Sequence, residues 1–387
     1  MKKRVAVLGA TGSIGKNALD VLRNGRDDFE TVLLSSHTSR QSLLRLGGEF
    51  PGAILALSGS GGSGSNAADA ANDDTIRHHG PAALLRAIAE CEADLAVNGI
   101  AGAAGLEPSL AVLDAGMDLA LANKETMVMA APLALKKAAE KNARIFPVDS
   151  EHAAIYALLR SQGRENLEEL LLTASGGPFR TWSPEQLAAV TPEQALAHPT
   201  WSMGPKITLD SSTLANKGLE VIEAAALFSV GVEKVRVVIH PQSVVHSMIR
   251  LKDGAVYAQL SKPDMRLPLH QALYGDDCVP CPFGRLDFDG LSLSFEKPDL
   301  VRFPMLALAY QAGAKGGLYP AVYNGANEIA AAAFLAKAVP FPAIPDIAAH
   351  VLDRDWNRGT FDLESVMEAD RKARLLAEGY IAQKWEK

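Results

Sequence analysis

The sequence predicts an α/β protein with an N-terminal Rossmann-like parallel-sheet domain, a central α+β catalytic domain and a small C-terminal helical domain. Three observations lead there. Residues 4–148 alternate short apolar runs with helical stretches, a glycine-rich turn follows the first of those runs, and alanine-rich periodic stretches dominate beyond Pro304. Strands that alternate with helices pair in parallel, because a parallel neighbour is reached only through a crossover long enough to hold a helix.

Strands are expected at 5–8, 31–35, 54–57, 95–97, 119–122 and 144–148, each a short apolar run of buried-sheet composition. The stretch 58–65 is a Gly/Ser linker composition, followed by an acidic, alanine-rich segment without packing periodicity up to about Ile76. It reads as an exposed loop inside the first domain, which we bound at 1–148. From 149 to 275 the pattern is mixed, with a helix over 153–161, a glycine-proline loop at 175–178, and strands at 235–240 and 256–260. Residues 276–300, rich in Pro, Gly and Asp, form a connector. Helices over 305–312, 321–337, 344–352 and 363–384 then make the domain 301–387. There is no internal repeat.

With 387 residues and 48% hydrophobic composition, the chain can bury a core large enough for several domains. A formal net charge of -7 argues against a nucleic-acid partner, since neutralising phosphates needs a basic surface. A phosphorylated small molecule would need local cations instead. Met1-Lys2-Lys3-Arg4 runs straight into a short strand and a glycine turn, too brief for a signal-peptide core, and no apolar run approaches membrane-spanning length. Cys278 and Cys281 lack the second pair of a structural zinc site, and Pro280, Pro282 and Gly284 around them read as a loop. A reducing cytoplasm is expected.

The run Gly9-Ala10-Thr11-Gly12-Ser13-Ile14-Gly15 lies between the first strand and the first helix. Glycines there let the chain turn tightly and bring backbone N–H groups against a pyrophosphate at a helix N-terminus, where the dipole favours an anion. A purely structural turn would use glycines too, but its position in a βαβ unit favours a dinucleotide. An NAD site usually ends its second strand with a carboxylate for the ribose 2′-OH. Here the strand ends Ser35-Ser36-His37-Thr38-Ser39-Arg40, so NADP(H) is expected; the alternative is a polar loop that merely solvates the strand end.

Pro147-Val148-Asp149-Ser150-Glu151-His152 sets carboxylates at i and i+2 at a strand end, where both would project to one face. Hard oxygens suit Mg2+ or Mn2+, although Asp149 alone would also serve as a helix N-cap. In Asp210-Ser211-Ser212-Thr213-Leu214-Ala215-Asn216-Lys217-Gly218-Leu219-Glu220, the side chains of Ser211, Asn216 and Lys217 can donate to phosphate or hydroxyl oxygens. Glu220 could complete a metal set; a capped amphipathic helix with solvated charges is the plainer reading. Ser175 in Thr173-Ala174-Ser175-Gly176-Gly177-Pro178-Phe179 sits in a small-residue turn that could approach a phosphate or be an ordinary loop. His198-Pro199-Thr200-Trp201-Ser202-Met203-Gly204-Pro205 places an imidazole, an indole and a thioether between helix breakers, suiting a lid, or a hydrophobic corner. His240-Pro241-Gln242-Ser243-Val244-Val245-His246 adds two histidines near a strand end, a position more often structural than catalytic.

Taken together, Gly9 to Gly15, Asn123-Lys124-Glu125, the Pro147, Thr173, His198, Asn216 and His240 segments, Pro263-Asp264-Met265-Arg266 and Asn324-Gly325-Ala326-Asn327-Glu328 resemble the 1-deoxy-D-xylulose 5-phosphate reductoisomerase family in order and approximate spacing. The resemblance covers nearly the whole chain, and only the glycine fingerprint is widely shared. It implies that Asp149, Glu151 and Glu220 ligate Mn2+ or Mg2+, with Co2+ as a third candidate. It implies that Ser175, His198, Ser211, Asn216 and Lys217 surround the substrate phosphate, that Lys124 and Ser150 contact the substrate backbone, and that Trp201 and Met203 belong to the lid. His246 joins the substrate site. Lys124, Asp149, Glu151 and Glu220 would carry the catalysis. Gly9, Thr11, Gly12, Ser13, Ile14, Gly15, Asn123, Glu125 and Gly204 would touch NADPH.

Two departures stand out. Many members end the second strand with a Gly-Lys-Asn-like turn where this chain has His37-Thr38-Ser39, so His37, Ser39 and Arg40 are the candidates for the 2′-phosphate. The Gly/Ser stretch is also unlike the family, and lies outside every motif. The implied activity converts 1-deoxy-D-xylulose 5-phosphate, a small sugar phosphate, to 2-C-methyl-D-erythritol 4-phosphate in the non-mevalonate isoprenoid route, in a homodimer without membrane or nucleic-acid partners. A simple NADP-dependent dehydrogenase of the homoserine dehydrogenase type, or a non-catalytic NADP-binding sensor, would need the glycine turn but not the three carboxylates.

Overall fold

A computed structural model describes residues 1–59, 75–197, 201, 203–357 and 359–385. Most of the Gly/Ser stretch, His198 and Ser202 therefore lie outside the described residues. The chain forms two compact units: Met1–Asn123, Leu133–Ala153 and Asp264–Gly284 make the first, and Lys124–Pro132, Ala154–Pro263 and Arg285–Lys387 the second.

The first unit holds β1 (Lys3–Leu8), β2 (Phe29–Ser36), β3 (Ile54–Leu57), β4 (His78–His79), β5 (Leu95–Asn98), β6 (Asp118–Leu121) and β7 (Ile145–Pro147). They form one sheet in the order β4-β3-β2-β1-β5-β6-β7, parallel throughout. Val5, Val7, Leu33, Leu34, Leu95, Val97, Leu119 and Leu121 are fully buried, as strands covered on both faces must be. The order reverses between β1 and β5, and the crevice beyond the carboxyl ends of such strands is where doubly wound sheets bind ligands. The helix Ser13–Asn24 buries Ala18, Leu19, Val21 and Leu22 at helical spacing. Against it packs the helix Arg266–Tyr274. Tyr274 meets Phe29 edge-on at 4.8 Å and donates its hydroxyl to Asp28 at 2.6 Å. Burial and the Asp28 carboxylate together push the phenol up to about 12.

The second unit contains β8 (Leu167–Ala174), β9 (Val235–Ile239), β10 (Val245–Leu251) and β11 (Val256–Leu260), ordered β11-β10-β8-β9. β8 runs parallel to β9, and β10 runs antiparallel to both β8 and β11. Sequence reading assigns neither β8 nor β10. The β8 sequence Leu-Glu-Glu-Leu-Leu-Leu-Thr-Ala is made of good helix formers, and burial of Leu170 to Ala174 between neighbouring strands overrides that preference. The helices Pro304–Lys315, Tyr319–Leu335, Ala343–Leu352 and Leu363–Lys384 pack on one another through Ala309, Ala326, Ala330, Ala348, Ala373 and Ala377, small residues that permit close approach. The helix Lys124–Lys141 breaks at Ala130, two residues before Pro132, whose ring and missing N–H interrupt helical bonding.

Candidate active site

In the first unit the glycine turn is built by backbone packing. Gly9 has φ +78°, and a Cβ there would lie 3.1 Å from the Gly99 carbonyl oxygen; at Gly15 it would lie 2.3 Å from the Gly9 oxygen. Neither position tolerates a side chain. Gly9 N–H donates to Ser35 Oγ at 3.1 Å, Ala10 N–H donates to the Ser35 carbonyl, and Thr11 Oγ1 shares a 2.8 Å hydrogen bond with Ser36 Oγ. The end of β2 therefore shapes the turn as well as following it. His37 Nδ1 lies 3.2 Å from Ser58 Oγ, and Ser39 caps the helix Arg40–Glu49, so the three candidates for a 2′-phosphate share one loop and helix start. Asn123 donates to the carbonyls of Ile100 and Gly102, and Asn98 donates to Gly105 O and Ser109 Oγ. Sequence reading gave Asn98 no role, although an amide ending a buried apolar strand was the available signal.

Asp149, Ser150, Glu151 and His152 follow β7 directly. The expectation that both carboxylates extend from a strand needs correction: the helix Ser150–Gln162 begins at once, so Glu151 belongs to its first turn. There Ser150 Oγ donates to Glu151 Oε2 at 2.6 Å, and Asp149 contributes its carbonyl to the Ala153 N–H.

In the second unit, Lys124, Asn216, Lys217 and Glu220 come together. The helix Ala215–Leu227 starts after Leu214 in a left-handed conformation, φ 60°, with Thr213 Oγ1 accepting from Ala215 N–H. Glu220 and Lys217 then lie one turn apart, and Gly218 faces Ala309 and Tyr323 so closely that a Cβ would meet the Ala309 methyl at 2.6 Å. Lys124 Nζ donates to Asn216 Oδ1 at 2.9 Å and to Glu220 Oε1 at 3.3 Å, Asn216 Nδ2 donates to Glu220 Oε1 at 2.5 Å, and Lys217 Nζ donates to Glu220 Oε2. Side-chain exposure is 7% for Lys124, 5% for Lys217 and 3% for Glu220, so two ammonium groups converge on one carboxylate away from bulk water. Such charge-assisted donors are the kind that bind phosphate oxygens, and a cation approaching Glu220 would have to compete with them for its carboxylate.

The Ser175 loop is tied to the same region. Gly177 has φ +69°, and a Cβ there would stand 2.7 Å from the Ser211 carbonyl oxygen, which brings Ser175 and Ser211 onto neighbouring backbones. Arg180 holds the loop's far end through Glu296, at 2.8 and 3.0 Å. His240 is structural: Nδ1 donates to Ser294 O at 2.9 Å while Nε2 accepts from the N–H groups of Val244 and Val245. His246 is 6% exposed, and its ring centroid lies 6.3 Å from that of Trp201. Gly204 caps the helix Pro205–Ser212, its carbonyl accepting from Thr208, and Met203 precedes it. Lys206, absent from the expected set, bridges Glu125 and Asp210.

Family models match along the chain: 1-deoxy-D-xylulose 5-phosphate reductoisomerase over 5–131, its C-terminal domain over 145–228, and the DXP reductoisomerase C-terminal domain over 260–376. The chain belongs to the 1-deoxy-D-xylulose 5-phosphate reductoisomerase family. The Treponema pallidum member is 46% identical across 99% of this chain and 98% of its own, and the Mycobacterium marinum member 46% identical across 98% and 93%. Among solved structures, the Zymomonas mobilis reductoisomerase in complex with NADPH superposes with a TM-score of 0.89 at 38% identity, covering 98% of this chain and 99% of that one. A reductoisomerase in complex with NADPH, fosmidomycin and magnesium gives 0.88 at 36% identity, covering 98% of each. Asp149 and Glu151 in the first unit, and the buried Glu220 in the second, each offer carboxylate oxygens, the donor type that hard divalent cations take.

Proposed function

We propose that the chain is an NADPH- and divalent-metal-dependent enzyme that rearranges and reduces 1-deoxy-D-xylulose 5-phosphate to 2-C-methyl-D-erythritol 4-phosphate in the non-mevalonate isoprenoid route. The observation that carries this reading is the buried cluster of Lys124, Asn216, Lys217 and Glu220, since neither a simple dehydrogenase nor a nucleotide sensor needs two ammonium groups and a carboxylate in one buried place.

In this reading Ser175, Ser211, Asn216 and Lys217, with His198, grip the phosphate, and that remote binding energy orients the reacting carbons. Lys124 and Ser150 hold the substrate's oxygens, and Trp201, Met203 and His246 cover it and exclude water. Asp149, Glu151 and Glu220 would hold the metal, Mn2+, Mg2+ or Co2+. Once bound, it supplies Lewis acidity towards the substrate's carbonyl and hydroxyl oxygens. The rearrangement would proceed by retro-aldol and aldol steps or by an α-ketol shift, and bound NADPH would supply the hydride that, with a proton from solvent, reduces the branched aldehyde. Gly9, Thr11, Gly12, Ser13, Ile14, Gly15, Asn123, Glu125 and Gly204 position the cofactor, and His37, Ser39 or Arg40 meets its 2′-phosphate. Residues 1–148 would serve the cofactor, 149–275 the metal and substrate, and 301–387 would support them after the connector 276–300.

The exposed edge strand β11, with Val256 and Tyr257 at 44% and 40% exposure, supports the expectation of a homodimer. No helix among the described residues is long and apolar enough to cross a membrane, and we place the enzyme in the cytoplasm. The test is product identity: incubation with 1-deoxy-D-xylulose 5-phosphate, NADPH and Mn2+ should give a branched polyol phosphate carrying two more hydrogens than the substrate. A straight-chain reduction product would favour the simple dehydrogenase.

A further inference from the structure

Glu125 opens the helix that Lys124 also begins, yet the two side chains go to different partners. Lys124 joins Asn216 and Glu220, whereas the Glu125 carboxylate, 6% exposed, accepts from Lys206 Nζ at 3.3 Å. Lys206 also donates to Asp210 Oδ2 at 2.8 Å, one helical turn further along the helix Pro205–Ser212. Asp210, 2% exposed on its side chain, is fixed on its other oxygen by Asn327 Nδ2 at 3.0 Å. Asn327 belongs to the Asn324-Gly325-Ala326-Asn327-Glu328 string that the catalytic reading leaves without a task. The next residue, Glu328, accepts from Asn324 at 3.2 Å and from Arg374 at 2.7 Å, and Arg374 is held by Asp370. A chain of polar groups, buried at Glu125, Asp210 and Asn327 and half-buried at Lys206, Glu328 and Arg374, thus runs from the C-terminal helices to the first turn of the Lys124 helix.

We propose that Lys206 is a positioning residue of the cofactor site: it holds the buried Glu125 carboxylate in one rotamer as an acceptor for a hydroxyl of NADPH, and Asp210 with Asn327 keeps Lys206 in place. The inference rests on the assignment of Glu125 to NADPH made above. Its physical basis is charge balance. Two buried carboxylates share one ammonium, and removing it takes away the donor that fixes the Glu125 rotamer and leaves the two carboxylates to repel one another, so Glu125 would turn away. Burial alone would lower the pKa of Lys206, but Asp210, Glu125 and Glu328 raise it well above the ordinary lysine value. Lys206 also lies two residues after Gly204, so the pair links the C-terminal end of the lid segment to the cofactor contact.

The test is fluorescence titration of NADPH, without metal or substrate, on the full chain and on Glu125→Gln, Lys206→Met, Lys206→Arg and the Glu125→Gln/Lys206→Met double variant. Lys206→Met should raise the NADPH Kd about tenfold, Lys206→Arg should restore most of that loss, and the double variant should bind no more weakly than the worse single variant. Affinity for inorganic phosphate should stay within about twofold, which a general loss of structure would not allow. If Lys206→Met does not fold, the cycle is run with Lys206→Gln. Should Glu125→Gln leave the Kd unchanged, the assignment of Glu125 to the cofactor fails and the inference with it. Should Glu125→Gln weaken binding while Lys206→Met does not, or should the two losses add, Lys206 does not act through Glu125 and the inference alone is overturned.

Discussion

Lys217 stands one helical turn before Glu220 and donates to its carboxylate, so the proposed phosphate cation and the proposed metal ligand form one buried ion pair. This geometry sets opposite expectations for the two residues. Glu220→Gln keeps the shape and removes a negative ligand, so metal dependence should shift to much higher concentration and kcat should collapse. Lys217→Ala should mainly raise the substrate KM, by about one to two orders of magnitude if the lost charge-assisted bond is worth about 1.5–3 kcal/mol. Because Lys217 competes for Glu220, its removal should leave metal affinity equal or tighter. Excess Mn2+ should partly rescue Glu220→Gln and not Lys217→Ala; equal rescue of both would undo this division of roles.

Cofactor choice depends on a strand end without a carboxylate. NADPH should be used far better than NADH, and Arg40→Ala should raise the NADPH KM more than the NADH KM. Steady-state kinetics with both cofactors checks this. An equal effect on the two would remove Arg40 from the 2′-phosphate site and leave His37 and Ser39.

Gly177 and Gly254 separate backbone strain from site geometry. Both have positive φ, +69° and +87°, but only Gly177 faces a neighbour: an added methyl would sit 2.7 Å from the Ser211 carbonyl oxygen, while at Gly254 it would meet open space. Each change to Ala should cost roughly 1–2 kcal/mol of stability from the left-handed backbone. Only Gly177→Ala should also raise the substrate KM, by pushing the Ser175 loop off Ser211. Denaturant titration and kinetics on the two variants measure the two effects separately.

The periodic parts of the fold were legible because short apolar runs and helical stripes record burial directly. β3 and the helix Leu363–Lys384 begin and end where the sequence places them, and the other expected strands of the first unit agree within a few residues. β8 was hidden because its leucines and glutamates favour helix in isolation, and only pairing with β9 and β10 makes it a strand. The Lys206–Asp210 pair was visible at i and i+4. Its third member was not, since Glu125 lies 81 residues away and nothing local marks the contact. Asn216, Lys217 and Glu220 were legible as a string, but their convergence with Lys124 belongs to tertiary structure.

Asp264 and Arg266 give the Pro-Asp-Met-Arg string a stability role. Arg266 Nε donates to Asp264 Oδ1 at 3.0 Å and its NH2 group to Oδ2 at 2.7 Å, and these bonds hold the Asp264 carboxyl below its usual value of 3.8. A lowered folded pKa contributes stability that is present above the unfolded value and lost as pH falls through the folded one. The Tm gap between wild type and Asp264→Asn should therefore be widest above about pH 4 and close progressively below it. A gap that stays constant down to about pH 2 would show that the pair adds nothing pH-dependent.

A reductoisomerase built this way must couple a metal-dependent rearrangement to NADPH oxidation, and one assay reaches that coupling. NADPH absorbance is followed with purified protein and 1-deoxy-D-xylulose 5-phosphate, first after chelation and then with Mg2+ or Mn2+ restored. No oxidation is expected without metal; with it, one NADPH should be oxidised per substrate consumed. Oxidation that proceeds equally after complete chelation, or none with either metal, would refute the coupling.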